Sequence, residues 1–305
     1  MSAPEPSLVC VGRIVQEMIF FPQQVKGPVL GSPPAYCSVA AARQGTPTAI
    51  VTKIGLDFPQ TLLQPIIDAS VDSRGILLSE RSTNSQLIYD GRGNKEIRYP
   101  SMSDPIRPED IPQAFRSCDI IYICPMDEDV LVEDLAGVTA LGKISAVDLG
   151  GYGGVHMSKD RRQAIADLAE YAIRVASHFD IVKASDEDAI SIFRQDNPLK
   201  ASRKLLASGP QVVVITLGAN GALVSTSEKH WHVPPVSGNV IDATGGGDTF
   251  MAGFLSEYIQ SQDPLRSAQR GCATAISVIE KTGGVLVDRM PTSQQVQERI
   301  NQNYF

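Results

Sequence analysis

Asp242-Ala243-Thr244-Gly245-Gly246-Gly247-Asp248-Thr249-Phe250 is the stretch of this 305-residue chain whose reading decides its fold. Three successive glycines cost backbone entropy inside a helix or strand. They suit a sharp bend that lets another group approach closely. The residues that follow, 248–259, place Phe250, Met251, Phe254, Leu255, Tyr258 and Ile259 on a helical stripe. A glycine turn feeding a helix N-terminus aims unpaired N–H groups and the positive dipole end into the bend, an arrangement suited to phosphate oxygens or another anion. Aspartates flanking an anion site are repelled by its ligand unless they handle a proton or a cation. Asp248, at the helix start, is placed to accept a hydroxyl proton as that hydroxyl attacks a phosphate. Asp242 is placed to steady the loop or hold a cation. A plain turn with Asp248 as a helix-capping residue accounts for the same residues.

Working outward, the chain alternates apolar strands with helical stripes. Strands are expected at 7–11, 48–54, 75–78, 119–124, 144–149, 180–183 and 211–216. Helices are expected at 59–69, 109–115, 130–141, 159–177, 186–193, 199–207, 265–280 and 293–301. Another is expected at 33–44, with Ser32 as N-cap, Pro33 at the first helical position and Gly45 as the stop. Runs such as Val212-Val213-Val214-Ile215 suit a parallel sheet buried on both faces. The alternation predicts an α/β fold, a doubly wound, mostly parallel sheet flanked by helices. A hairpin is expected at 222–226 and 231–233. Residues 85–89 and 95–99, joined by a turn at 90–94, are too polar for buried strands, and 13–21 is a further extended stretch. They predict a small sheet standing off the main body.

Composition narrows the partners. With 43% hydrophobic residues, the chain has ample material for a large core, and its net charge of −7 comes without any basic run. Nucleic-acid binding needs clustered Lys and Arg, so no nucleic acid is expected. No apolar run approaches membrane-spanning length and no leader pattern opens the chain, so no membrane association is expected. The five cysteines, at 10, 37, 118, 124 and 272, lack metal or redox spacing and suit a reduced, cytoplasmic compartment.

Other strand ends carry candidate ligand contacts. Thr216-Leu217-Gly218-Ala219-Asn220-Gly221 follows an apolar strand, where a mononucleotide can lie against bare backbone; an ordinary Asn-Gly turn is the alternative. In Lys183-Ala184-Ser185-Asp186-Glu187-Asp188, Ser185 caps a helix and the acids favour its first turn. Asp188 or Glu187 could instead orient the water shell of a magnesium–nucleotide complex. Asp148 to Gly154 is a third glycine-rich strand end, either a ligand contact or a connection. His230 and His232 lack a third metal ligand. There is no GxxxxGK[ST] loop and no GxGxxG after the first strand, which removes the main support for P-loop and nicotinamide-enzyme readings.

In order and spacing, these features resemble the ribokinase-like, or PfkB, carbohydrate kinases along essentially the whole chain. The family signature D-T-x-G-A-G-D-T-F-x-A-G-F runs here from Asp242 to Phe254. The resemblance implies one kinase domain over residues 1–305, with a β-sheet lid from about 13–30 and 84–100 that, in some members, pairs two copies into a dimer. It implies Asp248 as catalytic base and Gly245, Gly246 and Gly247 as the anion hole. It implies ATP held by Ser185, Thr216, Gly218, Asn220 and Gly221, with Cys272, Ala275 and Ile276 at the adenine. Mg²⁺ is implied near Asp188, and in some members K⁺ near Asp242 and Gly283. A small polyhydroxylated substrate (a sugar, inositol or nucleoside) is implied at Gln16, Glu17, Gly31, Ser32, Tyr36 and Asp248. The first motif, G-G-x-G-x-N in the family, reads Gly31-Ser32-Pro33-Pro34-Ala35-Tyr36 here, and N-x-x-E reads Ser185 to Asp188. The phosphate machinery is thus retained and the acceptor pocket altered. That alteration also motivates a second expectation, a catalytically silent sugar- or nucleotide-sensing protein on the same fold.

Overall fold

The computed structural model describes residues 5–89 and 95–304, so the expected turn at 90–94 lies outside the described residues. The chain opens with β1 (Leu8–Val11), β2 (Val15–Phe21) and β3 (Gln24–Gly31). Next come α1 (Pro33–Arg43), β4 (Thr48–Ile54), α2 (Gln64–Asp68) and β5 (Asp72–Leu78). Strands β6 (Thr83–Tyr89), β7 (Lys95–Ser101) and β8 (Cys118–Ile123) lead to α3 (Leu135–Thr139) and β9 (Gly142–Asp148). Helices α4 (Lys159–Ala164) and α5 (Leu168–Ala176) precede β10 (Ile181–Ser185), α6 (Asp186–Phe193), α7 (Pro198–Leu206) and β11 (Val212–Thr216). The hairpin β12 (Ala222–Ser225) and β13 (His230–Val233) is followed by α8 (Gly246–Ser261), α9 (Pro264–Ile279) and α10 (Ser293–Tyr304).

The large sheet runs in the order β13-β12-β11-β10-β9-β8-β1-β4-β5. Its pairings are parallel except for the β11–β12–β13 edge. Successive side chains of a strand face opposite sides. Leu8, Cys10, Ile120 and Tyr122 therefore pack under α1, α8 and α9, while Val9, Val11, Ile121 and Ile123 pack under α3, α5, α6 and α7. Covering both faces is what made these strands read as unbroken apolar runs. Each fully buried aliphatic side chain contributes about 1.5–3 kcal/mol relative to exposure. Beside β1 the chain turns to β4 on one side and β8 on the other. The carboxyl ends of the strands around such a switch leave a crevice for ligands.

The second sheet has the order β3-β2-β6-β7. Strand β3 was expected only through the resemblance, inside the range 13–30, and not from its own residues. Its Pro28 and glycines read as irregular, yet it pairs antiparallel with β2 from Val15–Gly31 to Phe21–Gln24. Several expected helices are shorter. At 109–115 there are two 3₁₀ turns, Pro108–Asp110 and Gln113–Phe115, because Pro112 cannot donate within a helix. At 59–69 a 3₁₀ turn, Gln60–Leu63, precedes α2, which starts anew around Pro65. A 3₁₀ turn at Val132–Asp134 likewise precedes α3. The single helix expected over 159–177 is two, since the Asp167 carboxylate accepts the N–H groups of Ala169 and Glu170 at 2.9 and 3.0 Å and starts α5.

Candidate active site

The glycine turn shares a cavity with Met126 after β8, Lys183 and Ser185 on β10 and Thr216 at the end of β11. Gly245 is the N-cap of α8 with φ 78°, so Asp248 is the third residue of the helix. An L side chain is strained at that φ, and a Cβ on Gly245 would also sit 2.5 Å from the Tyr36 ring. The bend therefore admits only glycine. Gly246 donates its N–H to Ala243 O at 3.2 Å, and the Thr249 hydroxyl donates back to Gly245 O at 2.7 Å. These bonds shape the bend so that the helix start faces a cavity of about 770 Å³. Gly245, Gly246, Gly247 and Asp248 all line it.

Two buried cations flank the turn, and neither was singled out from the sequence. Lys183, on β10, donates to the Asp148 carboxylate at 2.8 Å, and its Nζ lies 3.3 Å from where a Cβ on Gly247 would be. Burial alone would lower its pKa, but the charges of Asp148 and Asp188 outweigh that and raise it, so the ammonium stays charged beneath the glycine turn. The signal was a lysine inside an otherwise apolar strand. Arg289, fully buried beyond α9, donates from Nη2 to Asp242 O at 3.0 Å and to Thr244 O at 2.9 Å.

Tyr36 joins these groups. Its ring packs on Gly245, while its hydroxyl receives a hydrogen bond from Arg289 at 3.2 Å and lies 3.5 Å from Gly283 O. Burial pushes its pKa up, against the pull of Arg289. The ring lines the cavity, but the hydroxyl is turned toward Arg289. Asp242 accepts the Thr244 N–H at 3.0 Å and the Gly283 N–H at 3.2 Å. Burial opposes its charge, and these bonds together with Arg289 bring its carboxyl below the ordinary range.

The nucleotide-side candidates divide. Ser185 Oγ accepts the Asp188 N–H at 3.0 Å, and Asp188 accepts the N–H groups of Ser185 and Val155 at 2.7 and 2.9 Å. The helix-capping reading of this stretch therefore holds, and both Asp188 oxygens are engaged. Burial opposes the Asp188 charge, yet Lys183, His156 and these N–H groups lower its pKa. The neighbouring carboxylates Asp186 and Glu187 also line the cavity. Thr216 and Gly218 line it as well, and Gly218 has open space where a side chain would stand. Asn220 and Gly221 fall outside the lining. A Cβ on Gly221 would meet Val233 O at 2.1 Å, so that glycine serves the hairpin. Cys272, Ala275 and Ile276 sit on α9, also outside the lining. Burial pushes the Cys272 thiol up to about 11, and Ile276 packs against Gly238.

Among the acceptor-side candidates, Glu17 shares the inner face of β2 with Ile19 and Phe21, and the three line the cavity with Val29, Leu87 and Ile97. Ser85 donates its hydroxyl to Glu17 Oε2 at 3.2 Å. Gln16 is one residue out of phase and faces the other side of the strand, so it does not line the cavity. Gly31 lies behind Glu17, 3.3 Å from Oε1 at the position a Cβ would take. Ser32 lines the cavity but is not the side-chain cap that the sequence suggested. Its φ is 101°, its ψ is 149°, and its buried hydroxyl has no partner among the described residues. That backbone region is nearly glycine-only. His156 and Met126 complete this wall. A second cavity, of about 480 Å³, lies between α7 and the β12–β13 hairpin, away from the glycine turn.

Among the described residues no helix is long and apolar enough to cross a membrane, and no cluster of three or more His, Cys, Asp or Glu is placed to hold a metal. The family described as pfkB family carbohydrate kinase matches residues 34–291. A cytidine kinase of Thermococcus kodakarensis is 27% identical over 281 residues, covering 90% of this chain and 97% of that protein. A fructokinase of Vibrio cholerae, solved with fructose, ADP and potassium ion, superposes with a TM-score of 0.80 at 21% identity over 98% of this chain and 99% of that one. A nucleoside kinase of Methanocaldococcus jannaschii gives 0.75 at 19% identity, over 99% of this chain and 100% of that one. The ribokinase fold and the family signature coincide in one crevice, and the chain belongs to the pfkB family of carbohydrate kinases.

Proposed function

We propose that the whole chain acts as one catalytic unit that transfers the γ-phosphoryl group of ATP to a hydroxyl of a small polyhydroxylated acceptor. The observation that carries this is Asp248 standing one residue beyond a bare-backbone turn, with Lys183 beneath it, all on one cavity wall. The bond from the acceptor oxygen to phosphorus forms as the bond from phosphorus to the β–γ bridging oxygen breaks. The hydroxyl proton passes to the Asp248 carboxylate, and ADP leaves. The turn at Gly245, Gly246 and Gly247 receives the transferred group, and Lys183 offsets its charge. Thr216 and Gly218 carry the nucleotide. Mg²⁺, bound with the phosphates, would be held through water by Asp186 and Glu187 and would neutralise developing charge. The sheet β3-β2-β6-β7 serves as the lid, excluding water from the transfer.

The acceptor is read from the lid. Glu17 supplies a carboxylate for paired hydroxyls. Ile19, Phe21, Val29, Leu87 and Ile97 supply an apolar wall. A sugar hydroxylated all round would strand hydroxyls there, whereas a nucleoside lays its base on it. The cytidine kinase relative supports the same class. On the outer face of β2, Met18 and Phe20 are half-buried, which supports pairing of two copies through the lid. ADP release from ATP, measured against nucleosides, inositols and sugars, tests the function. A nucleoside should give the highest kcat/KM. Tight calorimetric binding with no ADP release from any acceptor would establish the silent sensor instead.

A further inference from the structure

The resemblance implies a potassium ion near Asp242 and Gly283, and the groups present there do not fit one. The carbonyl oxygens that would surround an ion are already taken by a side chain. Arg289 Nη2 donates to Asp242 O and Thr244 O at 3.0 and 2.9 Å. Nη1 donates to Gly283 O and, at 3.4 Å, to Gly284 O. Nε donates to Val278 O and Lys281 O at 3.1 and 3.0 Å. Six carbonyls from three segments thus converge on one planar group. The Asp242 carboxylate lies 3.8 Å from Nη2, beyond hydrogen-bond length, so the guanidinium is held by carbonyl dipoles more than by a paired acid. A bare cation buried this deeply is costly unless dipoles and a nearby charge compensate it. Here both do, and two of the compensating carbonyls, those of Asp242 and Thr244, belong to the residues that lead into the glycine turn.

We propose that the Arg289 guanidinium is a tethered cation that sets the geometry of the glycine turn, so that this kinase needs no monovalent ion. Arg289 is a positioning residue. It reaches Asp242 and Thr244 on one side, Gly283 and Gly284 on the other, and steadies the Tyr36 ring against Gly245 through the Tyr36 hydroxyl. A sodium or potassium ion has no vacant carbonyls to join while the side chain is there. Removing the side chain opens an ion-sized space lined by oxygens, and a free cation of suitable radius then binds it.

The test rests on the kinase reading for its activity arm, and thermal melting supplies an arm that does not. Wild-type protein is assayed in potassium, sodium and tetramethylammonium chloride at equal ionic strength, which cancels general screening. Turnover should change by less than about twofold among the salts, with no potassium-specific rise in Tm. Arg289→Ala in tetramethylammonium should lose about ten- to a hundredfold in kcat through displacement of the turn. Potassium should restore part of that loss and raise Tm more than sodium does. Arg289→Lys, which keeps a charge, should hold more activity than the alanine variant. A wild-type protein that gains turnover or Tm specifically from potassium overturns the proposal, even if no variant folds. So does a folded Arg289→Ala that keeps full turnover, or that gains nothing from potassium in either arm. If the wild type releases no ADP with any acceptor, the kinase reading fails, and the melting arm still decides this one.

Discussion

The two ends of the cavity are built from different material. At the glycine-turn end, the proposed phosphate end, the groups on offer are main-chain N–H and C=O groups, fixed by buried cations and by contacts that leave no room for a side chain at Gly245. At the acceptor end the working groups are side chains on a four-stranded sheet: Glu17, Ile19, Phe21, Leu87 and Ile97. Backbone chemistry can be preserved only by preserving glycines and their packing partners. Side-chain chemistry can be exchanged one residue at a time. On the proposed function, one end sets what is transferred and the other what receives it, and the two should fail differently when altered.

The largest expected effect lies at the junction. Asp248→Asn should lower kcat by about 10²- to 10⁴-fold, the usual range for a general base. The ATP dissociation constant should stay nearly constant, because the amide keeps the shape of the turn. Steady-state kinetics with calorimetry of ATP binding check this, and near-native turnover would remove Asp248 from its assigned role. Next is Gly245→Ala, which meets both the positive φ and the Tyr36 ring. It should destabilise the fold by about 1–3 kcal/mol on denaturant unfolding and depress kcat. Gly218→Ala sharpens the contrast. Its φ is also positive, at 53°, but its surroundings are open. That variant should lose stability less and show its defect as a raised KM for ATP.

At the acceptor end the signature should change. Glu17→Gln removes a charged acceptor of hydrogen bonds, worth about 1.5–3 kcal/mol, or roughly ten- to a hundredfold in acceptor KM. The KM for ATP should hold steady. A parallel rise in both constants would mean that the two ends are not separable.

This division explains what was legible in the sequence. The parallel sheet could be read because burial on both faces leaves unbroken apolar strands, as in Val212 to Ile215. The glycine turn could be read because three successive glycines are costly inside a regular element, and at Gly245 no other residue fits. The small sheet was half-read from its residues: β2, β6 and β7 alternate, but β3 contains Pro28 and two glycines and looked irregular until its pairing with β2 was seen. Helix 159–177 was overrun because Asp167, which restarts the helix by capping, looks in sequence like one more polar position on a helical face. Gln16 and Glu17 could not be separated without knowing which face of β2 meets the cavity. Arg289 was missed because its partners are carbonyl groups, which every residue carries. Nothing in the letters from 278 to 289 marks their convergence.

The smallest expected effect is the sharpest for the comparison, because stability and function should move in opposite directions. Ser32 occupies φ 101° and ψ 149°, and its hydroxyl is buried on the cavity wall without a partner among the described residues. Strain in that region costs on the order of 1–3 kcal/mol and persists where the surroundings demand it. Glycine tolerates the same backbone freely. Ser32→Gly should therefore stabilise the protein, by about 1 kcal/mol once the greater freedom of glycine in the unfolded chain is set against the relieved strain. If the hydroxyl waits for an acceptor oxygen, the same change should raise acceptor KM by about three- to tenfold, the value of one neutral hydrogen bond. Denaturant unfolding and acceptor kinetics on one variant decide it. Stabilisation with unchanged acceptor KM would make Ser32 a strained residue with no part in recognition. A raised KM would place the specificity of this kinase in the altered first motif.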